Sequence, residues 1–267
     1  MKRKLSVVIS CKVPSFTLEY CLESLTRQWP LAVEAEIFVV DDGSNRDYEP
    51  HTKDLLPPAV VLRAGTRRDA PANRNMGAAQ ATADIVAFIG DDCMIPLGWT
   101  DSILEYMDSH PELMLVGGQF RSNNQRNIFV RAGEDFAVTS QLFDGVPRVA
   151  GNQAFVRREV FEQFGGFNEN LDFARRNPWE LSERMQHQGY GVAMADSIYC
   201  YRNHPATLRL FLGRPWREGF WGGGEPGARS RSPLRTLTSS GLKFLGILFA
   251  FLGRMRMRMN SMRQNGQ

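Results

Sequence analysis

Two acidic pairs stand where an apolar run stops: Ile37-Phe38-Val39-Val40-Asp41-Asp42-Gly43-Ser44 and Ile85-Val86-Ala87-Phe88-Ile89-Gly90-Asp91-Asp92. Carboxylates are rarely buried unless paired or metal-bound, so packing does not account for either pair. In an open α/β sheet the ligand crevice lies outside the carboxyl ends of the strands. Acid at two such ends points to a polar ligand such as a nucleotide. A hard cation, Mg²⁺ or Mn²⁺, would suit one or two carboxylates plus substrate phosphates, and would neutralise charge on a leaving diphosphate. Between the acids lie Arg67, Arg68 and Arg74. Arg74 is expected to open a helix, where the dipole favours a phosphate or base contact. The plainer alternatives are a solvated turn at 91–92, an Asx turn at 41–44 and a surface Arg74–Asp69 pair.

The elements that would position these residues follow from periodicity. Continuous apolar runs at 5–9, 35–40, 57–62, 85–89 and 113–116 read as strands covered on both faces. Residues 17–28 carry Leu18, Cys21, Leu22 and Leu25 at helical spacing. Helices are also expected at 73–83 and at 98–110, before Pro111. Strand–helix alternation over roughly the first 115 residues predicts βαβ units and an α/β fold with a mostly parallel sheet flanked by helices. Residues 120–149 are polar and weakly periodic, and read as a mixed sheet edge or an active-site loop. A helix at 159–164 should stop at Gly165-Gly166 through a left-handed cap. Another at 179–188 shows Trp179, Leu181 and Met185 among polar residues, and 197–201 is strand-like.

The 267 residues suffice for one large domain with an appendage. Cys11, Cys21, Cys93 and Cys200 lack metal-ligand spacing and read as reduced thiols of a cytoplasmic protein. The net charge of +3 conceals an asymmetry. Residues 202–267 hold twelve Lys/Arg against Glu218 and Glu225, a surplus of ten, so the rest is seven negative. Phe244–Leu252 is a nine-residue apolar run followed by Arg254, Arg256 and Arg258. Nine residues make about 14 Å of helix, half a bilayer core, which fits an interfacial helix on anionic lipid better than a span. A core or dimer helix is the alternative. With an acidic body and no recognisable module, a nucleic-acid partner is not expected.

The order and spacing of "SVVIS", "CLESLTRQ", "VVDDGS", "NRNMG", "FIGDDCMIP", "GNQAFVRREVFEQFGGFNE" and "WELSERMQHQGY" resemble the family 2 glycosyltransferases, inverting enzymes of the Rossmann-like GT-A fold, over about residues 5–205. The resemblance implies a GT-A domain at 1–205, followed by a basic, Gly/Pro-containing loop and apolar tail at 206–267. It implies a UDP-, GDP- or dTDP-linked sugar donor and a glycan or lipid-linked acceptor. By motif position Ser10 and Asp41 would lie around the base with Asp42 nearby, Arg74 would contact base or phosphate, and Asp91 would approach the ribose. Asp92 and His204 would hold the divalent cation. The setting expected is polysaccharide or glycoconjugate assembly, cytoplasmic and peripheral at the inner membrane face.

Two positions depart from the family pattern. Its acidic triplet reads Gly90-Asp91-Asp92, without the first carboxylate. Its catalytic-base segment reads Asn177-Pro178-Trp179-Glu180-Leu181, with proline where the aspartate belongs. Direct displacement needs a carboxylate to take the acceptor proton. Glu180 is the nearest replacement, with Asp172 and Glu169 behind it, and a helix-start role is its alternative. A degenerate sugar-nucleotide binding module, a nucleotidyltransferase and a scaffold protein are the rival readings. Ser10-Cys11-Lys12-Val13-Pro14 lacks the Gly-rich phosphate loop of a nucleotidyltransferase.

Overall fold

Strands that are apolar at every position need cover on both faces, and alternate side chains of the first strand go to opposite layers. The computed structural model describes residues 3–11, 16–28, 33–41, 52, 55, 58–64, 69–122, 142–143, 146–170 and 179–202. All of them lie in Met1–Phe211, the first of two units into which the chain divides. The first half alternates β1 (Arg3–Cys11), α1 (Phe16–Thr26), β2 (Val33–Asp41), β3 (Ala59–Arg63), α2 (Ala70–Ala78), β4 (Ile85–Gly90), β5 (Cys93–Met94) and α3 (Trp99–Ser109). Then come β6 (Leu113–Arg121), a small hairpin of β7 (Leu142–Phe143) and β8 (Val146–Pro147), β9 (Gln153–Arg157), α4 (Arg158–Gln163), α5 (Glu180–His187) and β10 (Gly191–Arg202).

Eight strands form one sheet in the order β3-β2-β1-β4-β9-β6-β10-β5. Four of its seven pairings are parallel and three antiparallel, so the sheet is α/β and mostly parallel, as expected. Leu5, Val7, Ile9 and Cys11 pack on one face with Leu18, Leu22 and Leu25 of α1 and Trp99, Ile103 and Met107 of α3. Val8, Val86 and Phe88 pack on the other with Ala78 of α2, Phe161 of α4 and Leu181 and Met185 of α5. Each fully buried Val, Ile or Leu contributes about 1.5–3 kcal/mol, so these central strands hold the sheet edge rigid.

Three of the departures from the periodicity reading bear on the site. Helix α2 starts at Ala70 and ends at Ala78, because Pro71 is pre-set for a first turn whose N–H groups are unpaired anyway. Strand β9 lies in the middle of the sheet, antiparallel to both β4 and β6, although Gln153–Arg157 is too short and too close to α4 to declare itself. Strand β10 runs twelve residues, not five, because its register shifts between Met194 and Tyr199 and carries the polar Asp196 and Ser197 through the break. The paired glycines after α4 do adopt left-handed angles, with φ 68° at Gly165 and 75° at Gly166. No described helix is long and apolar enough to cross a membrane. The 206–267 tail lies outside the described residues.

The chain runs from β1 outward to β2 and β3, then returns to place β4 on the other side of β1. That reversal is a topological switch point, where open α/β sheets bind ligands beyond the carboxyl ends of their strands. Here those ends are Cys11 of β1 and Gly90 of β4, with Asp41 of β2 beside Cys11 in register.

Candidate active site

Ser10 is half-buried near the end of β1, level with Val40 and Gly90 in the neighbouring strands. Asp41, the last residue of β2, is 1% exposed. Asp91 and Asp92 form the turn after β4. Burial pushes the Asp91 carboxyl above its ordinary range, and Asp92 adds to this; the Cys11 thiol, which hydrogen-bonds Asp91, and the charge of Arg202 act the other way. Cys11, Cys21, Cys93 and Cys200 are in no disulfide and are all buried within one core cluster. Burial holds Cys21 and Cys200 well above the usual thiol value, so they pack as apolar groups.

Arg74 projects from the second turn of α2, not its first. The helix lies close enough to the sheet that a Cβ on Gly77 would sit 2.4 Å from Val8 Cγ1. Only glycine permits this approach, which seats Arg74 against the switch point. Its guanidinium packs over the Phe167 ring at 5.6 Å, and a Cβ on Gly151 would lie 3.0 Å from its Nη1. Arg74 Nε is buried with no hydrogen-bond partner. Burial, helped by the charge of Arg202, lowers the Arg74 guanidinium to about 10, so it stays cationic at neutral pH. Two amide oxygens nearby in sequence and fold are likewise buried and unpartnered, Asn73 Oδ1 and Asn152 Oδ1. Asn152 also accepts the Gly90 N–H through its backbone carbonyl at 3.1 Å. Buried polar groups left open cost about 1–3 kcal/mol each, so their gathering here calls for a polar ligand with an acceptor for Arg74 Nε and donors, such as hydroxyls, for the two amide oxygens.

Asp92 is already engaged. Its Oδ2 accepts a hydrogen bond from Arg202 Nε at 2.6 Å, with both side chains about a quarter to a third exposed, and the Arg202 guanidinium lies over the Phe120 ring at 5.2 Å. Burial disfavours the Arg202 charge, but Asp92 outweighs it and the guanidinium is held above its usual value. Among the described residues no three His, Cys, Asp or Glu side chains gather to hold a metal. His204 and Asp42 lie outside the described residues. Among the described groups, a divalent cation at Asp92 would have to contend with Arg202 for that carboxylate.

Glu180 begins α5 and is 14% exposed. Its Oε1 lies 2.6 Å from Arg184 Nε, and its Oε2 accepts a longer bond of 3.4 Å from the Asn168 N–H. Arg184 also donates to the Phe164 and Gly166 carbonyls. From the other side Asn75 ties down the same loop: its amide donates to the Phe167 carbonyl at 2.8 Å and to Glu169 Oε1 at 2.9 Å, and its oxygen accepts the Phe167 N–H at 2.9 Å. Residues 166–169 therefore join Arg74 to Glu180, touching the first through Phe167 and the second through Asn168. Asp172 and Pro178 lie outside the described residues.

Residues 6–165 match the family model for glycosyl transferase family 2. The chain belongs to that family. Among curated relatives of this family 2 chain, polypeptide N-acetylgalactosaminyltransferase 10 of Mus musculus is 24% identical over 187 residues, 60% of this chain and 31% of that protein. Glycosyltransferase AglE of Haloferax volcanii is 26% identical over 208 residues, 75% of this chain and 66% of that one. The chain thus spans about a third of the length of the N-acetylgalactosaminyltransferases it matches. Among solved structures, the mannosyltransferase PcManGT of Pyrobaculum calidifontis, in complex with GDP-Man and Mn²⁺, superposes with a TM-score of 0.61 at 15% identity, covering 95% of this chain and 75% of that one. S. aureus TarS 1-349, in complex with UDP-GlcNAc, gives 0.55 at 18% identity, covering 78% and 60%. These likenesses establish the GT-A fold.

Sequence reasoning missed two contributors. Arg202 is the residue just past the strand expected at 197–201, so the same rule that singled out Asp41 and Asp91 would have reached it. Asn75 lies inside the "NRNMG" segment, but its partners are 92 residues or more away in sequence, and no local pattern announces them.

Proposed function

We propose that this family 2 chain is a nucleotide-sugar-dependent glycosyltransferase that inverts the anomeric centre. The observation that carries the reading is the buried Arg74 guanidinium, whose Nε has no hydrogen-bond partner among the described residues, at the switch point of a GT-A sheet. A donor diphosphate would supply the missing acceptor, while Asp41 and Asp91 at neighbouring strand ends would receive the nucleoside. The complexes of the structural neighbours with GDP-Man and UDP-GlcNAc support a donor of this class.

In the proposed reaction the acceptor hydroxyl oxygen attacks the anomeric carbon opposite the diphosphate. The carbon–oxygen bond to the diphosphate breaks, its electron pair stays on the phosphate oxygen, and the hydroxyl proton passes to a carboxylate. Arg74 stabilises the charge that grows on the leaving group, in a site whose low polarity strengthens the effect. Glu180 is the proposed base, oriented by Arg184 and by the 166–169 loop. The basic surplus of 202–267 supports an anionic or lipid-linked acceptor at a membrane surface.

Calorimetry with UDP-, GDP- and dTDP-sugars tests the donor assignment. One of the three is expected to bind and to be hydrolysed slowly without acceptor. Absence of binding by all three would leave a scaffold role as the surviving reading.

A further inference from the structure

The cation expected at Asp92 has a rival built into the chain. Arg202 Nε sits 2.6 Å from Asp92 Oδ2, where an ion would have to bind. The contact lies beside Gly90, the position at which the first carboxylate of the acidic triplet is missing. A Cβ built on Gly90 would lie 2.8 Å from Asp92 Oδ1. A side chain at 90 would press on the Asp92 carboxylate, whose other oxygen meets Arg202.

We propose that Arg202 is the resident cation of the donor site, competing with divalent metal for Asp92 and neutralising the donor diphosphate together with Arg74. This rests on the donor-binding reading above and adds to it the source of the positive charge. Arg202 is suited to the task in three ways. Its guanidinium is held over the Phe120 ring and against Asp92, so it is already oriented. Its charge is felt at both Asp91 and Arg74. A planar guanidinium also offers paired donors that match phosphate oxygens. Arg74 and Arg202 thus bring two guanidinium groups to the side of the site where a diphosphate would lie.

The test is equilibrium binding of UDP, GDP and dTDP to the full chain, in EDTA and in Mn²⁺, alongside binding of Mn²⁺ alone followed by electron paramagnetic resonance. For the tightest nucleotide, affinity in EDTA should stay within about threefold of that in Mn²⁺. Arg202→Gln should lose about 10- to 100-fold in EDTA, recover with Mn²⁺, and bind Mn²⁺ alone more tightly than wild type. Gly90→Ala, which displaces the Asp92 carboxylate without touching Arg202, should shift binding toward metal dependence in the same direction. Thermal melts confirm that both variants are folded, and the wild-type comparison needs neither. Wild-type nucleotide binding that disappears in EDTA, or Arg202→Gln with unchanged Mn²⁺ affinity, overturns the role of Arg202 while leaving the donor reading intact. Failure of wild type to bind any of the three nucleotides in either medium overturns the donor reading itself, and this one with it.

Discussion

The carboxyl edge of β1–β4 and the junction of α4 with α5 are built from the same kinds of residue and treat them in opposite ways. At the junction every polar group discussed has its partner: Glu180 meets Arg184 and the Asn168 N–H, Arg184 meets two carbonyls, and Asn75 closes three hydrogen bonds. At the strand edge Arg74 Nε, Asn73 Oδ1 and Asn152 Oδ1 are buried and open. Satisfied polar groups rigidify a fold, whereas open ones hold stability in reserve until something binds. The contrast teaches that the edge receives the ligand and the junction holds the edge in place, with Glu180 the one residue asked to belong to both.

The sharpest break would come at Glu180. As the base, its replacement by Gln should cut transfer by about 10²- to 10⁴-fold, with the Tm lowered by only a few degrees through loss of one charged hydrogen bond. Transfer that survives in proportion to the folded fraction would return Glu180 wholly to the junction, and Glu169→Gln would then be the variant to assay.

Gly77→Ala should be the largest stability change on the donor side. The added methyl, 2.4 Å from Val8 Cγ1, forces α2 off the sheet at a cost of about 1–3 kcal/mol. Because α2 carries Arg74, nucleotide affinity should fall with it. Combining it with Val8→Ala should recover part of both losses; purely additive losses would show that the close approach does not position Arg74.

A smaller effect separates the far side of the sheet from both regions. Glu36 accepts hydrogen bonds from Ser6 Oγ at 2.6 Å and from the Thr82 N–H at 2.9 Å. Burial raises its pKa, but these bonds, that of the Thr82 hydroxyl and the charge of Lys4 outweigh it, so the net shift is downward from 4.5. A lowered carboxyl pKa contributes stability above the unfolded value, and that contribution is lost as pH falls through the folded one. After allowance for its partial exposure, Glu36→Gln should lower the Tm by about 2–4 °C at pH 7, a gap that narrows as the carboxylate is protonated in acid, with nucleotide affinity unchanged. Equal losses at pH 3 and pH 7 would show that charge plays no part there.

Much of the donor half could be read from sequence because its rules are local. The apolar runs of β1, β2 and β4 end at Cys11, Asp41 and Gly90, and a strand end in an α/β sheet already implies a crevice. Helix α2 was legible in kind but misplaced in its start, which moved Arg74 from the first turn to the second. What stayed hidden depends on long-range pairing. β9 enters the middle of the sheet only through partners on β4 and β6, and Arg202 reaches Asp92 across 110 positions of sequence. The Gly90 departure, which looked like a loss of function, lies beside that distant contact.

The most direct measurement compares wild type with Arg74→Gln by nucleotide calorimetry and thermal melting on the same samples. Affinity for the donor nucleotide should fall about 10- to 100-fold, while the Tm holds or rises because a buried guanidinium with an open Nε has been removed. A lowered Tm with unchanged affinity would contradict the assignment, and would make Arg74 one more structural residue of a fully satisfied fold.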